Sequence, residues 1–196
     1  LPWSRRYALL SEPIDPNTPI EAVRGKEGHR VRNAYQNYAS RFGLSWKGRS
    51  YDPLDWARGD PLNRALSAAS ACLNGIVQAG IVSAGYSPAI GFIHTGKMLS
   101  FVYDIADLYK VSEIVPLAFQ CVAQSDQNVE SRARLACRDL FRTTRFLQRL
   151  LPDIREVLYG RDDPGAGPAQ PAGGPESLDD RTQGRDIPWP HNRPGP

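Results

Sequence analysis

Between Asp60 and Gly85 the sequence carries a helix start, an apolar body and a helix stop in direct succession, and no other stretch constrains the fold as strongly. Asp60-Pro61 pairs an N-cap side chain with a proline suited to the first helical position, and Gly85 is the residue type that ends helices left-handed. The body, Pro61 to Ala84, is rich in small residues such as Ala65, Ala68, Ala69, Gly75 and Gly80. Neighbouring helices can approach such a surface closely, which predicts a central position in a helical bundle. The longest apolar stretch, Cys72 to Ile93, is interrupted by Asn74, Gln78 and glycines. It therefore lacks the run of about 18 uncharged apolar residues that suits a bilayer, and no membrane association is expected.

Similar punctuation orders the rest. A helix is expected over Trp3–Leu10. Thr18-Pro19-Ile20-Glu21 reads as a capping box, with Thr18 at N-cap, Pro19 at N1 and Glu21 at N3, opening a helix that runs to Phe42 before Gly43. A polar connection, Leu44 to Gly59, holds Trp46, Tyr51 and Trp56; short strands could flank its Lys47-Gly48-Arg49 turn. After a Gly- and Pro-rich loop, Tyr86 to Leu99, Ser100 is expected to cap a short helix through Lys110. A helix over Val115–Ala123 follows, then a long final one from Asn128 to Leu151 that Pro152 bends or restarts toward Tyr159. Without period-2 runs long enough for a substantial sheet the body is predicted all-α. From Arg161 onward eight prolines and six glycines fall within 36 residues. Such a tail cannot bury enough surface to offset ordering and is expected to be disordered. Its apolar island, Ile187-Pro188-Trp189, is either incidental or a short extended docking motif anchored by Ile187 and Trp189.

Charge is uneven: residues 1–160 carry a net +5 and residues 161–196 a net −2. Arginine makes up 20 of the 24 cations, the side chain suited to forked phosphate contacts. Arg134, Arg138, Arg142, Arg145 and Arg149 recur at spacings of three and four, predicting one basic helical face. A solvated face is the ordinary explanation of such a stripe. Without interleaved Glu to pair them, five arginines repel one another, and a phosphate backbone would relieve this. The cysteines Cys72, Cys121 and Cys137 form no CxxC and sit in apolar contexts, so they are expected as reduced core thiols of a cytoplasmic protein. Starting at Leu1 within a helical pattern, the chain is expected to be a piece of something longer.

Three segments could carry chemistry. Asp104 and Asp107 lie three residues apart beside the apolar stripe of Phe101, Ile105 and Leu108, and buried acids there require a positive partner: Lys97, an arginine or a divalent metal. His94 precedes them in a glycine-flanked loop. Imidazole with carboxylates suits Mn²⁺ and tolerates Mg²⁺; a hydrogen-bonded structural histidine is the alternative. Glu27 sits between Gly25 and Gly28, each costing a helix about 1 kcal/mol, a cost explained if another backbone or a ligand comes close. Nucleophile elbow, P-loop and dinucleotide fingerprints are all missing.

Taken in order, Arg24-Gly25-x-Glu27-Gly28, Tyr51-Asp52-Pro53-x-Asp55-Trp56, Gly85-Tyr86-x-Pro88 through His94-Thr95-Gly96-Lys97, Ser100-Phe101-Val102-Tyr103-Asp104-Ile105-Ala106-Asp107 and Arg134-Leu135-Ala136-Cys137-Arg138-Asp139 resemble the CRISPR-associated integrase. This family is the DNA endonuclease subunit of the spacer-acquisition complex, and the likeness is greatest to its type I-E branch, over residues 18–160. The resemblance implies a helical catalytic lobe in which Glu27, His94 and Asp107 hold Mg²⁺ or Mn²⁺, with Asp104 as a further catalytic acid. It implies DNA contacts from Arg24, Tyr51, Lys97, Tyr103, Arg134 and Arg138. The partners it implies are double-stranded DNA with 3′ ends, CRISPR repeat DNA, and a small ferredoxin-like companion subunit against which the Ile187/Trp189 tail would lie. The nucleophile would be the 3′-hydroxyl of incoming DNA. The family's N-terminal β-rich dimerisation domain has no counterpart here, so residues 1–17 are expected to be the end of a connecting segment, and a homodimer is expected only with that domain. An adaptor lobe that binds DNA without cutting it is the alternative.

Overall fold

Seven α-helices make up the described part of the computed structural model, which covers residues 2–10, 14–49 and 59–160. These residues belong to one unit, Leu1–Ala166; a second, Gly167–Pro196, lies outside the described residues. So do Tyr51, Trp56, Ile187 and Trp189, together with the expectations attached to them and to the tail. The helices are α1 (Pro2–Leu9), α2 (Ile20–Phe42), α3 (Pro61–Ser83), α4 (Ser100–Tyr109), α5 (Val115–Gln124), α6 (Val129–Thr143) and α7 (Phe146–Tyr159). A π-helical turn, Lys110–Ile114, joins α4 to α5. Among the described residues there is no strand, and 44–49, where a strand was allowed, have no regular structure.

α3 begins and ends as its punctuation dictates. The Asp60 side chain accepts from the Asn63 amide at 3.0 Å, Pro61 opens the helix, and Gly85 follows it with φ +81°. It packs against α4, α5, α6 and α7 and is the centre of the bundle. Small residues let α7 in: a Cβ at Gly80 would lie 2.5 Å from Leu150 Cδ2. By length and composition α3 is apolar enough to cross a membrane, which corrects the sequence reading that no segment is. Ten of its residues are buried within the bundle, and this burial accounts for the apolar content.

Three other expectations are corrected. Helix α2 starts one residue late, with Pro19 at N-cap and no side-chain cap. The chain from Asp15 to Thr18 closes a turn first: the Thr18 amide donates to the Asp15 carbonyl at 2.9 Å and the Asn17 amide to Asp15 Oδ1. Pro19 remains extended, at ψ 144°, and its carbonyl takes the first helical bond. Ser100 is likewise not a cap, because its hydroxyl turns back to the Lys97 carbonyl and Leu99 holds the N-cap position. Finally, the long last helix is two helices. Thr143 and Thr144 return their hydroxyls to carbonyls of the preceding turn, and Arg145 then adopts φ +49°. Pro152 instead lies inside α7 without ending it. Where Pro116 follows the π-turn, its missing N–H removes the regular helical bond to Ser112, and the wider turn accommodates the ring.

The main core surrounds α3, with Phe119 of α5 meeting Tyr35, Tyr38, Phe42 and Trp46 at ring distances of 6.1–6.3 Å. A smaller core of Trp3, Tyr7, Val23 and Ile93 ties α1, α2 and the loop before α4 together. That second core sets the positions of the candidate residues.

Candidate active site

The loop carrying His94 is built around one carboxylate. Asp104 is fully buried, and its Oδ2 accepts the amides of Phe92 (2.6 Å) and Ile93 (3.1 Å) while Oδ1 accepts the His94 amide (2.9 Å). The same Oδ1 lies 2.7 Å from His94 Nδ1. Three backbone amides thus wrap around Asp104, and with Nδ1 committed to this carboxylate the imidazole keeps Nε2 for other contacts. A Cβ at Gly91 would overlap the His94 carbonyl and approach Asp104 Oδ2 to 2.8 Å, so only glycine fits there. Arg24 braces the loop from α2, its Nε and Nη2 donating to the Ile93 carbonyl at 3.1 and 2.8 Å.

Glu27 and Asp107 meet through α1. Arg6 is fully buried, and its Nη2 lies 3.1 Å from Glu27 Oε1 and 3.6 Å from Asp107 Oδ2. Arg30 adds a second cation to Glu27 Oε1 at 2.7 Å, and the Tyr7 hydroxyl donates to Glu27 Oε2 at 2.5 Å. Lys110 reaches Asp107 Oδ1 at 3.6 Å. Burial alone would raise the Glu27 carboxyl; the pull of Arg6, the Tyr7 hydroxyl and Arg30 outweighs it, and the net shift is downward. Burial first, then the bond to Glu27, pushes the Tyr7 phenol up. Among the described residues no three His, Cys, Asp or Glu side chains stand close enough to hold a metal ion as they are.

His94, Tyr103, Asp107 and Lys110 open on a cleft of about 430 Å³ that Arg49, Ser67, Ser70 and Asn74 also line. Tyr103 meets the His94 ring edge-on at 5.8 Å. Lys97 is exposed in the loop. Arg134 and Arg138 are not in this cleft: with Arg142, Arg145 and the apolar side chains of Cys72, Ile76 and Leu147 they line a separate groove of about 610 Å³. The break at Arg145 also corrects the five-arginine stripe. Arg149 leaves it, bound to both Glu113 oxygens at 2.9 and 3.0 Å and lying over Tyr109 and Phe146. Arg138 pairs with its neighbour Asp139 in an exposed contact of little worth. A Cβ at Gly25 or Gly28 would meet nothing within 4 Å, so no described part of the protein explains these glycines.

The positive partner required by Asp107 is therefore an arginine, as one of the sequence alternatives allowed, but it comes from α1. Sequence reasoning missed Arg6, Tyr7, Arg49 and Lys110. One signal was present: Trp3, Tyr7 and Leu10 form a helical apolar stripe, and Arg6 falls inside it.

Residues 4–133 match the sequence profile of the family described as CRISPR associated protein Cas1. The CRISPR-associated endonuclease Cas1 of Escherichia coli (strain K12) is 47% identical over 169 residues, covering 86% of this chain and 53% of the relative. CRISPR-associated endonuclease Cas1 3 of Methanospirillum hungatei JF-1 is 54% identical over 139 residues, covering 71% of this chain and 46% of the relative. A crystal structure of a TtCas1–DNA complex has a TM-score of 0.73 at 49% identity, covering 80% of this chain and 59% of that one. The chain thus spans about half the length of these relatives. With a profile match across most of the chain and a shared helical fold at close to half identity, the chain belongs to the CRISPR-associated Cas1 family.

Proposed function

We propose that this chain is the helical catalytic lobe of a type I-E-like DNA integrase and endonuclease, which cuts and joins phosphodiesters to insert spacer DNA into a CRISPR array in the cytoplasm. The observation that carries this reading is that His94 and Asp107 share one cleft with the cations Lys110 and Arg49, while Glu27 is joined to Asp107 through Arg6.

Glu27, His94 and Asp107 would hold the divalent cation, and two carboxylates with one imidazole are donors that suit Mg²⁺ or Mn²⁺. Bound there, the cation would stabilise charge developing on the scissile phosphate. The donor types fit; the resting arrangement, with a guanidinium between the two carboxylates, does not yet gather them. Asp104 holds His94 Nδ1 and leaves Nε2 for other contacts. Arg49 and Lys110 draw the DNA backbone in, Tyr103 forms a wall, and Lys97, Arg134 and Arg138 extend the phosphate path. Arg24 serves this path by bracing the His94 loop, and Tyr51 is assigned to the DNA on the family's pattern. The attacking group is the 3′-hydroxyl of the incoming duplex, and the target is CRISPR repeat DNA. Ile187 and Trp189 dock on a small ferredoxin-like companion, and dimerisation belongs to an N-terminal β-rich domain.

Joining of DNA with free 3′ ends, assayed with the whole protein and its companion, tests the reading. Glu27→Ala, His94→Ala and Asp107→Ala each lower divalent-dependent joining by at least about 100-fold with helicity retained. Unchanged joining in all three refutes it. A second reading, a DNA-binding adaptor lobe without chemistry, is favoured by the absence of a three-ligand cluster among the described residues. It requires salt-sensitive DNA binding that chelators do not affect and no joining in any form.

A further inference from the structure

We infer that Arg6 is a built-in cation that occupies the charge position between Glu27 and Asp107 at rest, so that a divalent metal binds only when this guanidinium moves away. The inference rests on the metal reading above and concerns how that site is regulated.

Glu27 Oε1 is bound by Arg6 and Arg30 and Oε2 by Tyr7; Asp107 Oδ2 faces Arg6 and Oδ1 faces Lys110. All four oxygens are engaged, and three cations already surround two carboxylates. One nitrogen, Arg6 Nη2, serves both acids, so a cation held jointly by Glu27 and Asp107 would compete for the space and charge that Nη2 now fills. Arg30 and Lys110 are partly exposed and can turn to solvent or to phosphate, whereas Arg6 is fully enclosed.

Arg6 is also poorly satisfied where it stands. Among the described residues its buried Nε and Nη1 have no hydrogen-bond partner. A guanidinium in that condition is held by its two carboxylates and by the helix that carries it, at a cost that its departure would relieve. That helix is short but firmly held: Arg5 donates to the carbonyls of Val157 and Leu158 at the end of α7, Trp3 and Tyr7 join the small core, and the Tyr7 hydroxyl bonds to Glu27. Movement of the Arg6 side chain, with α1 left in place on Ile93 and Val23, would open the space between the acids without dismantling the Asp104-centred His94 loop.

The consequence is a penalty on metal affinity, because only molecules with Arg6 displaced are competent to bind. Isothermal titration of this chain with MnCl₂ reads it directly. Arg6→Met, which keeps the bulk and removes the charge, is expected to bind Mn²⁺ at least about tenfold more tightly than wild type, a gain abolished by adding His94→Ala. Equal or weaker binding by Arg6→Met overturns the inference and makes Arg6 a scaffold for the two carboxylates. Absence of Mn²⁺ binding from both proteins overturns it together with the metal reading, whereas equal measurable affinities overturn it alone. Should Arg6→Met fail to fold, by circular dichroism, a crystal structure of the wild type grown with MnCl₂ decides. Arg6 Nη2 is then expected beyond salt-bridge distance from both acids, and a metal on Glu27 and Asp107 with both Arg6 contacts intact overturns the inference.

Discussion

Asp104→Asn separates a structural carboxylate from a merely acidic one. The wild-type side chain accepts four contacts: two amides on Oδ2, and one amide and the His94 ring nitrogen on Oδ1. Asparagine retains one acceptor. With its NH₂ toward Phe92 and Ile93 it faces two donors; with its NH₂ toward His94 it faces that residue's amide, while the ring can accept once its proton is on Nε2. At least one charge-assisted bond is lost outright, worth about 1.5–3 kcal/mol, and the bonds that remain lose their charge. A neutral amide costs less to bury than a carboxylate, which places the net loss at about 2 kcal/mol. For a domain stable by about 5–15 kcal/mol this is a large fraction. Urea unfolding at neutral pH, followed by far-ultraviolet circular dichroism, measures it, with the exposed Asp139→Asn as a control expected within about 0.5 kcal/mol of wild type. A cost below about 1 kcal/mol for Asp104→Asn, with the control behaving as expected, would refute the claim that the loop is organised around this carboxylate.

Glu27 gives a pH signature. Its folded pKa lies below the ordinary 4.5, so its stabilising contribution is present above that value and is lost as pH falls through the folded one. Glu27→Gln should therefore flatten the acid limb of the stability curve below pH about 4.5, and an unchanged slope would count against the Arg6–Glu27–Arg30 arrangement. The glycines divide sharply: Gly25→Ala and Gly28→Ala, with open space at each Cβ, should each stabilise α2 by up to about 1 kcal/mol, while Gly91→Ala should unfold the His94 loop, both read from thermal melts. If either helical substitution stabilises the chain yet weakens DNA binding, the open space is where DNA approaches. Burial raises the thiols of Cys121 and Cys137, the latter to about 12, whereas Cys72 is only partly buried. A disulfide-exchange dye should label Cys72 in the folded protein and the other two only on unfolding; rapid labelling of all three would contradict the packing of α3 against α6.

The helix ends that sequence reading located well are those decided within a few residues. Asp60, Pro61 and Gly85 act through their own side chain or ring and through φ, so α3 is legible without its neighbours. The ends it misplaced were contested locally. Thr18 could cap α2 or close the turn from Asp15, and the turn prevailed; Thr143 and Thr144 could continue a helix or bond back to it, and Arg145 shows which occurred. The candidate residues were named from local motifs, but their relationships were not legible. Asp104 and Asp107 look alike in sequence, three residues apart on one helix. Tertiary structure surrounds Asp104 with amides of the preceding loop and turns Asp107 toward Arg6, 101 positions earlier in the chain.

What the sequence determined by itself is an all-α chain with a central small-residue helix, a basic body and a short set of acids and one histidine as candidate site residues. Backbone preference, side-chain period and charge are properties of neighbours in the chain, and they are readable there. Only the tertiary structure decided which acid orients His94, which arginine lies between Glu27 and Asp107, and which arginine leaves the basic stripe for Glu113. Those pairings depend on helices brought together by burying Phe119, Ile105 and Leu150 against α3, and the Coulomb and hydrogen-bond energies follow distance in space rather than separation along the chain.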